Sequence, residues 1–475
     1  GDRTGLEIIR TLRDYGIHQG IHVHQECTAL KLLKDSGKIS GVFGYWRDTG
    51  RFVLFRTKAV IMATGGAGKI WRVTSNSWEY TGDGPAMALR VGAELVDMAF
   101  VQFHPTGMVW PLSVKGTLVT EGVRGEGGVL KNSDGERFMF NYIPDAYVGS
   151  IADTEEEANR WADGDSSARP PPELLTRDVV ARAILNEAAE GRGSEHGGAY
   201  LDIASQRPTE FILQKLPAMY HQFKELAGID ITKEPMEVAP TCHYMMGGIR
   251  VDPETQETCV PGLYASGEAA GGLHGANRLG GNSLSDLLVF GNRAGIHAGQ
   301  SAQKMKNFPK IPEENIESAI DHLSFPFKNK SSGEHPFRLR DELQTIMEEY
   351  VGIKRDEEGL EKGIEEFITA SKLLGARNFY IATKHIMPIV VPYSVSYMLA
   401  STTYGILAYG FASFYGQVGW TPNWGMMIYD AITYGSYLGG INYWNLLPPT
   451  FGFILCASSF YFLSISVKKQ FGISI

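Results

Sequence analysis

Apolar and polar positions divide the chain into a long mixed segment and a nearly charge-free tail. At the start, GDRTGLEIIRTLRDYG reads as a helix. A strand in GIHVHQECTALKLL follows, then a hairpin of KISGVFGYW and FVLFRT about a turn at DTGR, and a short buried strand in KAVIMATGG. A strand that runs out into Thr-Gly-Gly suits a nucleotide-binding α/β sheet. From His104 to Val238 the pattern is irregular and rich in Gly and Pro, and its acidic stretch ADTEEEANRWADGDSSARPPPELL predicts a surface excursion. A charged, helical stretch covers Pro312 to Gly363.

Between Lys384 and Lys468 the single Asp, Glu, Lys or Arg is Asp430. A bilayer core takes about 20 apolar residues per crossing. Two crossings fit, Met387 to Tyr415 and Leu446 to Val467. Arg377, Lys384, Lys468 and Lys469 would then all lie on the cytoplasmic side, with the Asp430 stretch facing outward.

With 475 residues there is room for two or three domains. The net charge of −9 argues against a nucleic-acid binder. Cys27, Cys242, Cys259 and Cys456 show neither CxxC nor zinc-like spacing, so no metal site and no disulfide framework is expected.

Glycine gathers in ATGGAG, TGDG, EGVRGEGG, ASGEAAGG and HGANRLGGNS. Such loops let backbone approach a flat or phosphorylated cofactor. Beside them stand His104, Arg124, Arg177, His243 and Arg278, a set able to hold a small dicarboxylate through bidentate and imidazole contacts. Taken singly, each also suits a structural ion pair or a satisfied core histidine.

In this order, FVQFHPTG, TEGVRGEGG, RDVVAR, HYMMGG and HGANRLGGNS resemble the flavoprotein subunit of succinate dehydrogenase and fumarate reductase over residues 1 to 360. The resemblance implies an α/β FAD-binding domain with an inserted α+β capping domain. The FAD domain would occupy 1–103 and 239–300, the cap 104–238, and a helical segment 301–363. It also implies dicarboxylate ligands at His104, Thr120, His243 and Arg278, and a proton carrier at Arg177 with Glu121 and Arg124 as its relay. A guanidinium can act so only as a transient relay reloaded by neighbouring charges.

FAD contacts are implied at Gly65, Gly66, Asp83, Glu268, Ser283 and Leu284. Asp83 also suits a helix cap, and Glu268 an ordinary solvated carboxylate. The family's GxGxxG turn and its flavin-linking histidine have no counterpart in these residues, so weak FAD retention is expected of this chain alone. The implied partners are membrane-anchor subunits and an iron–sulfur subunit, at the cytoplasmic membrane. L-aspartate oxidase shares the HPT and RGEG-like motifs and stands as an alternative.

The stretch EFITASKLLGA and the following HIMP resemble the coupling motif of dipeptide and oligopeptide ABC transporter permeases, as do TPNWGMMIYDA and NLLPPTFGFILCASSFYFLS further on. That likeness covers 364–475, and Glu366, Ala370, Gly375 and Ala376 match the helix that docks on an ABC ATPase. Two incomplete likenesses meeting near 363–366 lead us to expect a fused or misassembled gene, with an inactive fusion as a further alternative.

Overall fold

The computed structural model describes residues 4–328, 335–373, 395, 398–408, 424–437 and 443–470. The chain divides into two units, Gly1–Phe367 and Ile368–Ile475.

Helix α1 (Thr4–His18) precedes an antiparallel sheet of β1 (Cys27–Asp35), β2 (Lys38–Trp46) and β3 (Phe52–Arg56). Ser36 and Gly37, both at positive φ, make the two-residue turn whose twist matches β1 and β2. Strand β4 (Val60–Met62) pairs in parallel with β11 (Leu263–Ala265), Val60 against Leu263 and Met62 against Ala265. Parallel neighbours need a crossover, and here the whole capping domain lies within it. Helix α2 (Asp83–Arg90) and a small sheet of β5 (Leu95–Val96), β10 (Gly248–Arg250) and β12 (Ala270–Gly271) complete this layer. Its core joins Leu32, Ile39, Met62, Met87, Ala88, Ile249 and Leu263.

The cap is built on a four-stranded sheet ordered β6 (Val101–Met108), β9 (Met236–Met245), β8 (Ala199–Asp202), β7 (Val129–Lys131). The expected borders at 104 and 238 both fall on the adjacent strands β6 and β9, where His104 pairs with Thr241 and Met108 with Val238. The single-turn α3 (Gly122–Gly125) and helices α4 (Glu155–Ala162), α5 (Arg177–Ala189), α6 (Thr209–Lys215) and α7 (Pro217–Ala227) belong to this part of the chain. Val180 and Ile184 of α5 and Phe223 of α7 are buried with the sheet residues Leu130 and Leu201.

The acidic stretch is mostly exposed over 153–167, and it still holds a capped helix. Thr154 caps α4 by accepting from the Glu157 N–H at 3.3 Å, and Ala152, Ala158 and Ala168 are buried. Arg169 ties Glu157 and Asp153 together. A Thr-x-x-Glu helix start, hidden in a charge-rich run, decided the local structure.

Beyond the cap come α8 (Asn282–Lys304), α9 (Glu313–Lys328), α10 (Pro336–Tyr350) and α11 (Glu357–Leu373). Helix α11 runs unbroken across 363–366, where the two sequence likenesses meet.

In the second unit, helices span Met398–Ala408, Trp424–Tyr437 and Tyr443–Gln470. Among the described residues one stretch, Leu447–Ser466, is long and apolar enough to cross a membrane, and it matches the second expected crossing. Most of the first, 387–415, lies outside the described residues, as do Gly375 and Ala376. Asp430 sits within the Trp424–Tyr437 helix.

Candidate active site

The parallel strands β4 and β11 both end at one cavity of about 500 Å³, the position where open α/β sheets receive ligands. Ile61, Ala63 and Gly65 enter it from the first strand and its loop, and Ser266 and Glu268 from the second. Helix α8 adds Ser283, Leu287 and Gly291, four residues apart and so on one stripe. Asn76, Tyr80, His243, Tyr244 and Arg278 complete the lining.

Gly65 stands at φ +72°, and a Cβ there would run into the Tyr80 ring. A Cβ on Gly66 would fall 2.6 Å from the Glu268 carboxylate, which accepts from the Met245 N–H at 3.0 Å. Burial pushes the Glu268 carboxyl up to about 7, against the pull of the Met245 N–H and Arg278. It is therefore no ordinary solvated carboxylate. Gly65, Glu268 and Ser283 thus face the cavity, while Gly66 backs Glu268. Asp83 instead opens α2, taking a hydrogen bond from the Thr81 hydroxyl at 2.5 Å. Leu284 comes within 4.0 Å of a Cβ built on Gly5.

Arg278 stacks with its guanidinium carbon 4.3 Å from the centre of the Tyr244 ring, a cation–π contact. His243 and the buried His104 stand edge to face with ring centres 5.2 Å apart. Burial, then Arg177, drive both imidazoles down: His243 to about 3, with Arg278 contributing, and His104 well below its usual value. Both rings are therefore neutral near pH 7, able to donate from one nitrogen.

Arg177 is the first residue of α5, where the positive end of the helix disfavours a cation. Glu121 offsets this: one of its oxygens accepts from Arg177 Nε at 3.0 Å and Nη2 at 2.7 Å. Burial raises the Glu121 carboxyl, and Arg124 with Arg177 outweighs it, leaving it below the ordinary carboxylate value. Arg124 is fully buried, which lowers it to about 10, and its Nη1 donates to the Glu173 carbonyl. Thr120 adjoins this group, its hydroxyl accepting from the Gly122 N–H at 3.3 Å. The structure thus brings His104 to His243, Arg278 to the cavity, and Arg177 to Glu121.

Gln102 is the residue that the motif reading passed over. It is buried, and its Oε1 accepts from Arg177 Nη1 at 2.9 Å and from Arg278 Nη2 at 3.1 Å. Its Nε2 donates to Asn277 Oδ1 at 2.6 Å and to the Arg278 carbonyl at 2.5 Å. It stands two positions before His104 on β6, a spacing that could have flagged it. Glu173 was also missed: it is fully buried and takes both prongs of Arg137 at 2.6 and 2.9 Å.

The cavity suits a flavin on three grounds: its volume, an apolar side from Ile61 and Leu287, and a glycine loop that leaves no Cβ in the way. Arg278 Nε, buried and without a hydrogen-bond partner among the described residues, adds a polar group awaiting an acceptor. Among those residues no His, Cys, Asp or Glu cluster could hold a metal.

This architecture defines a flavin-binding protein, and residues 1–284 match the family model described as FAD binding domain. The chain belongs to that family, whose cofactor is FAD. Over 377 residues it is 44% identical to a component of the fumarate reductase (CoM/CoB) of Methanothermobacter marburgensis, covering 79% of this chain and 62% of that protein. It is 37% identical to the succinate dehydrogenase flavoprotein subunit of Coxiella burnetii over 380 residues, 77% of this chain and 59% of the other. The solved structure of Mycobacterium smegmatis Sdh1 with UQ1 superposes at a TM-score of 0.63 and 52% identity, over 78% of this chain and 60% of that one. The chain therefore spans about three fifths of the length of the relatives it matches. Residues 359–471 match a second family model, binding-protein-dependent transport system inner membrane component.

Proposed function

We propose that residues 1–360 handle a dicarboxylate as the flavoprotein part of a succinate dehydrogenase or fumarate reductase. The reading is carried by one observation: two arginines tied through Gln102 stand beside two imidazoles that burial keeps neutral. Arg278 pairs with a substrate carboxylate, and His104, His243 and Thr120 donate hydrogen bonds to the same molecule. Arg177 exchanges a proton with the substrate carbon, and Glu121 and Arg124 hold and return it. The lowered Arg124 suits that passing role. FAD, when bound, supplies the hydride exchange at its N5. Electrons pass to an iron–sulfur subunit, with membrane-anchor subunits at the cytoplasmic face.

The experiment is dye-coupled turnover by the FAD-loaded full chain with succinate, fumarate and L-aspartate. Succinate or fumarate turnover is expected, falling about a thousandfold in Arg177→Gln with malonate binding retained. Preference for aspartate, or an unchanged Arg177→Gln, overturns the reading.

The match over 359–471 supports a second reading for the tail, as part of a peptide transporter permease. In it, the segment with Glu366, Ala370, Gly375 and Ala376 docks on an ABC ATPase, and the basic residues flanking the membrane helices lie in the cytoplasm. Capture of an ATPase subunit by the full chain, lost in Gly375→Trp, is the expected result. Equal capture by both forms overturns it.

A further inference from the structure

Residues 74–76 grip the main chain at 242–243. The Cys242 carbonyl accepts from the Ser75 N–H at 2.9 Å and from the Thr74 hydroxyl at 3.0 Å, and Asn76 Nδ2 donates to the His243 carbonyl at 3.1 Å. Ser75 Oγ lies 2.8 Å from His243 Nδ1 and 3.3 Å from the Cys242 carbonyl. A carbonyl oxygen offers two lone pairs, and on Cys242 the Ser75 N–H and the Thr74 hydroxyl, which also lies 3.2 Å from Asn76 Oδ1, both approach more closely than the Ser75 hydroxyl does. The Ser75 hydroxyl proton is left for the nearer acceptor, the imidazole.

We propose that Ser75 is a positioning residue: its hydroxyl donates to His243 Nδ1 and holds the ring as the Nε2–H tautomer, so that the imidazole presents a donor to the cavity. Which nitrogen of a neutral histidine carries the proton is set by the hydrogen bond made at the other. With Nδ1 protonated instead, Nε2 would turn a lone pair toward an incoming carboxylate and repel it. Because burial keeps this ring neutral, tautomer alone decides whether it attracts or repels an anion. The consequence for a dicarboxylate rests on the function proposed above; the tautomer itself does not.

The experiment is ¹⁵N solid-state NMR of the histidine-labelled full chain in lipid vesicles, with the His243 signals identified by their loss in His243→Gln. Wild type is expected to show an unprotonated Nδ1 and a protonated Nε2. Ser75→Ala should shift toward the other tautomer, and Ser75→Thr should keep the wild-type pattern. On the same samples, malonate affinity should fall about tenfold in Ser75→Ala and be retained in Ser75→Thr. A protonated Nδ1 in the wild type overturns the proposal, as does a Ser75→Ala spectrum identical to wild type. If Ser75→Ala does not fold, the wild-type and threonine spectra still decide. Absence of malonate binding by a wild type that shows the Nε2–H tautomer overturns the dicarboxylate site and supports the Ser75–His243 pair.

Discussion

Arg177 and Arg278 are joined through a single oxygen, Oε1 of Gln102, at 2.9 and 3.1 Å. Burial and then Arg177 lower the Arg278 guanidinium, while Tyr244, Glu268 and Glu121 act against that fall, and the Gln102 oxygen gives both cations a shared acceptor. Gln102→Leu removes that acceptor and leaves charged donors unsatisfied. Stability of the full chain is expected to fall by about 2–3 kcal/mol, read from chemical denaturation in detergent. A loss below about 0.5 kcal/mol would contradict the assigned role.

Glu173 is fully buried, and the Arg137 side chain facing it is 6% exposed. Removing one partner strands the other charge away from water. Glu173→Ala is expected to destabilise the cap by about 3–5 kcal/mol, with Glu173→Gln losing less because the amide oxygen still accepts. Limited proteolysis within 101–245 reads both.

Glu268, raised to about 7 by burial, gives stability a pH slope. Between its ordinary value of about 4.5 and about 7, the native chain keeps a proton that the unfolded chain has released, so stability falls as pH rises through that window. Glu268→Gln should therefore gain up to about 3 kcal/mol relative to wild type on going from about pH 4.5 to pH 8. Parallel melting curves with a constant offset would refute the raised carboxyl.

Gly65→Ala would force a left-handed backbone onto a residue with a Cβ and drive that Cβ into Tyr80. Displacement of Tyr80 toward the cavity is expected to weaken FAD binding at least about tenfold, measured by quenching of flavin fluorescence. Unchanged FAD affinity would separate this glycine from the flavin site.

Much of the candidate site was legible because its members sit in quoted motifs and carry titratable or cationic groups. His104, His243, Arg177 and Arg278 are of this kind. Gln102 stood inside FVQFHPTG and went unassigned, since an amide announces nothing until its neighbours are known. Glu173 was hidden in a proline-rich run that reads as surface, and Ser75 is one of many hydroxyls in loops. Asp83 had two readings in the sequence, an FAD contact or a helix start, and the structure shows its carboxylate accepting from Thr81 at the start of α2.

Local periodicity by itself determined the hairpin of β2 and β3, the strand ending in Thr-Gly-Gly, the helices after 312 and the apolar Leu447–Ser466 stretch, because each follows from contacts a few residues apart. Only the tertiary structure decided which distant side chains meet. The parallel pairing of β4 with β11 and the register of β6 against β9 bring together groups 168 and 176 residues apart, Ser75 with His243 and Gln102 with Arg278. Strand register and domain insertion set those distances, and neither is written in the spacing of residues along the chain.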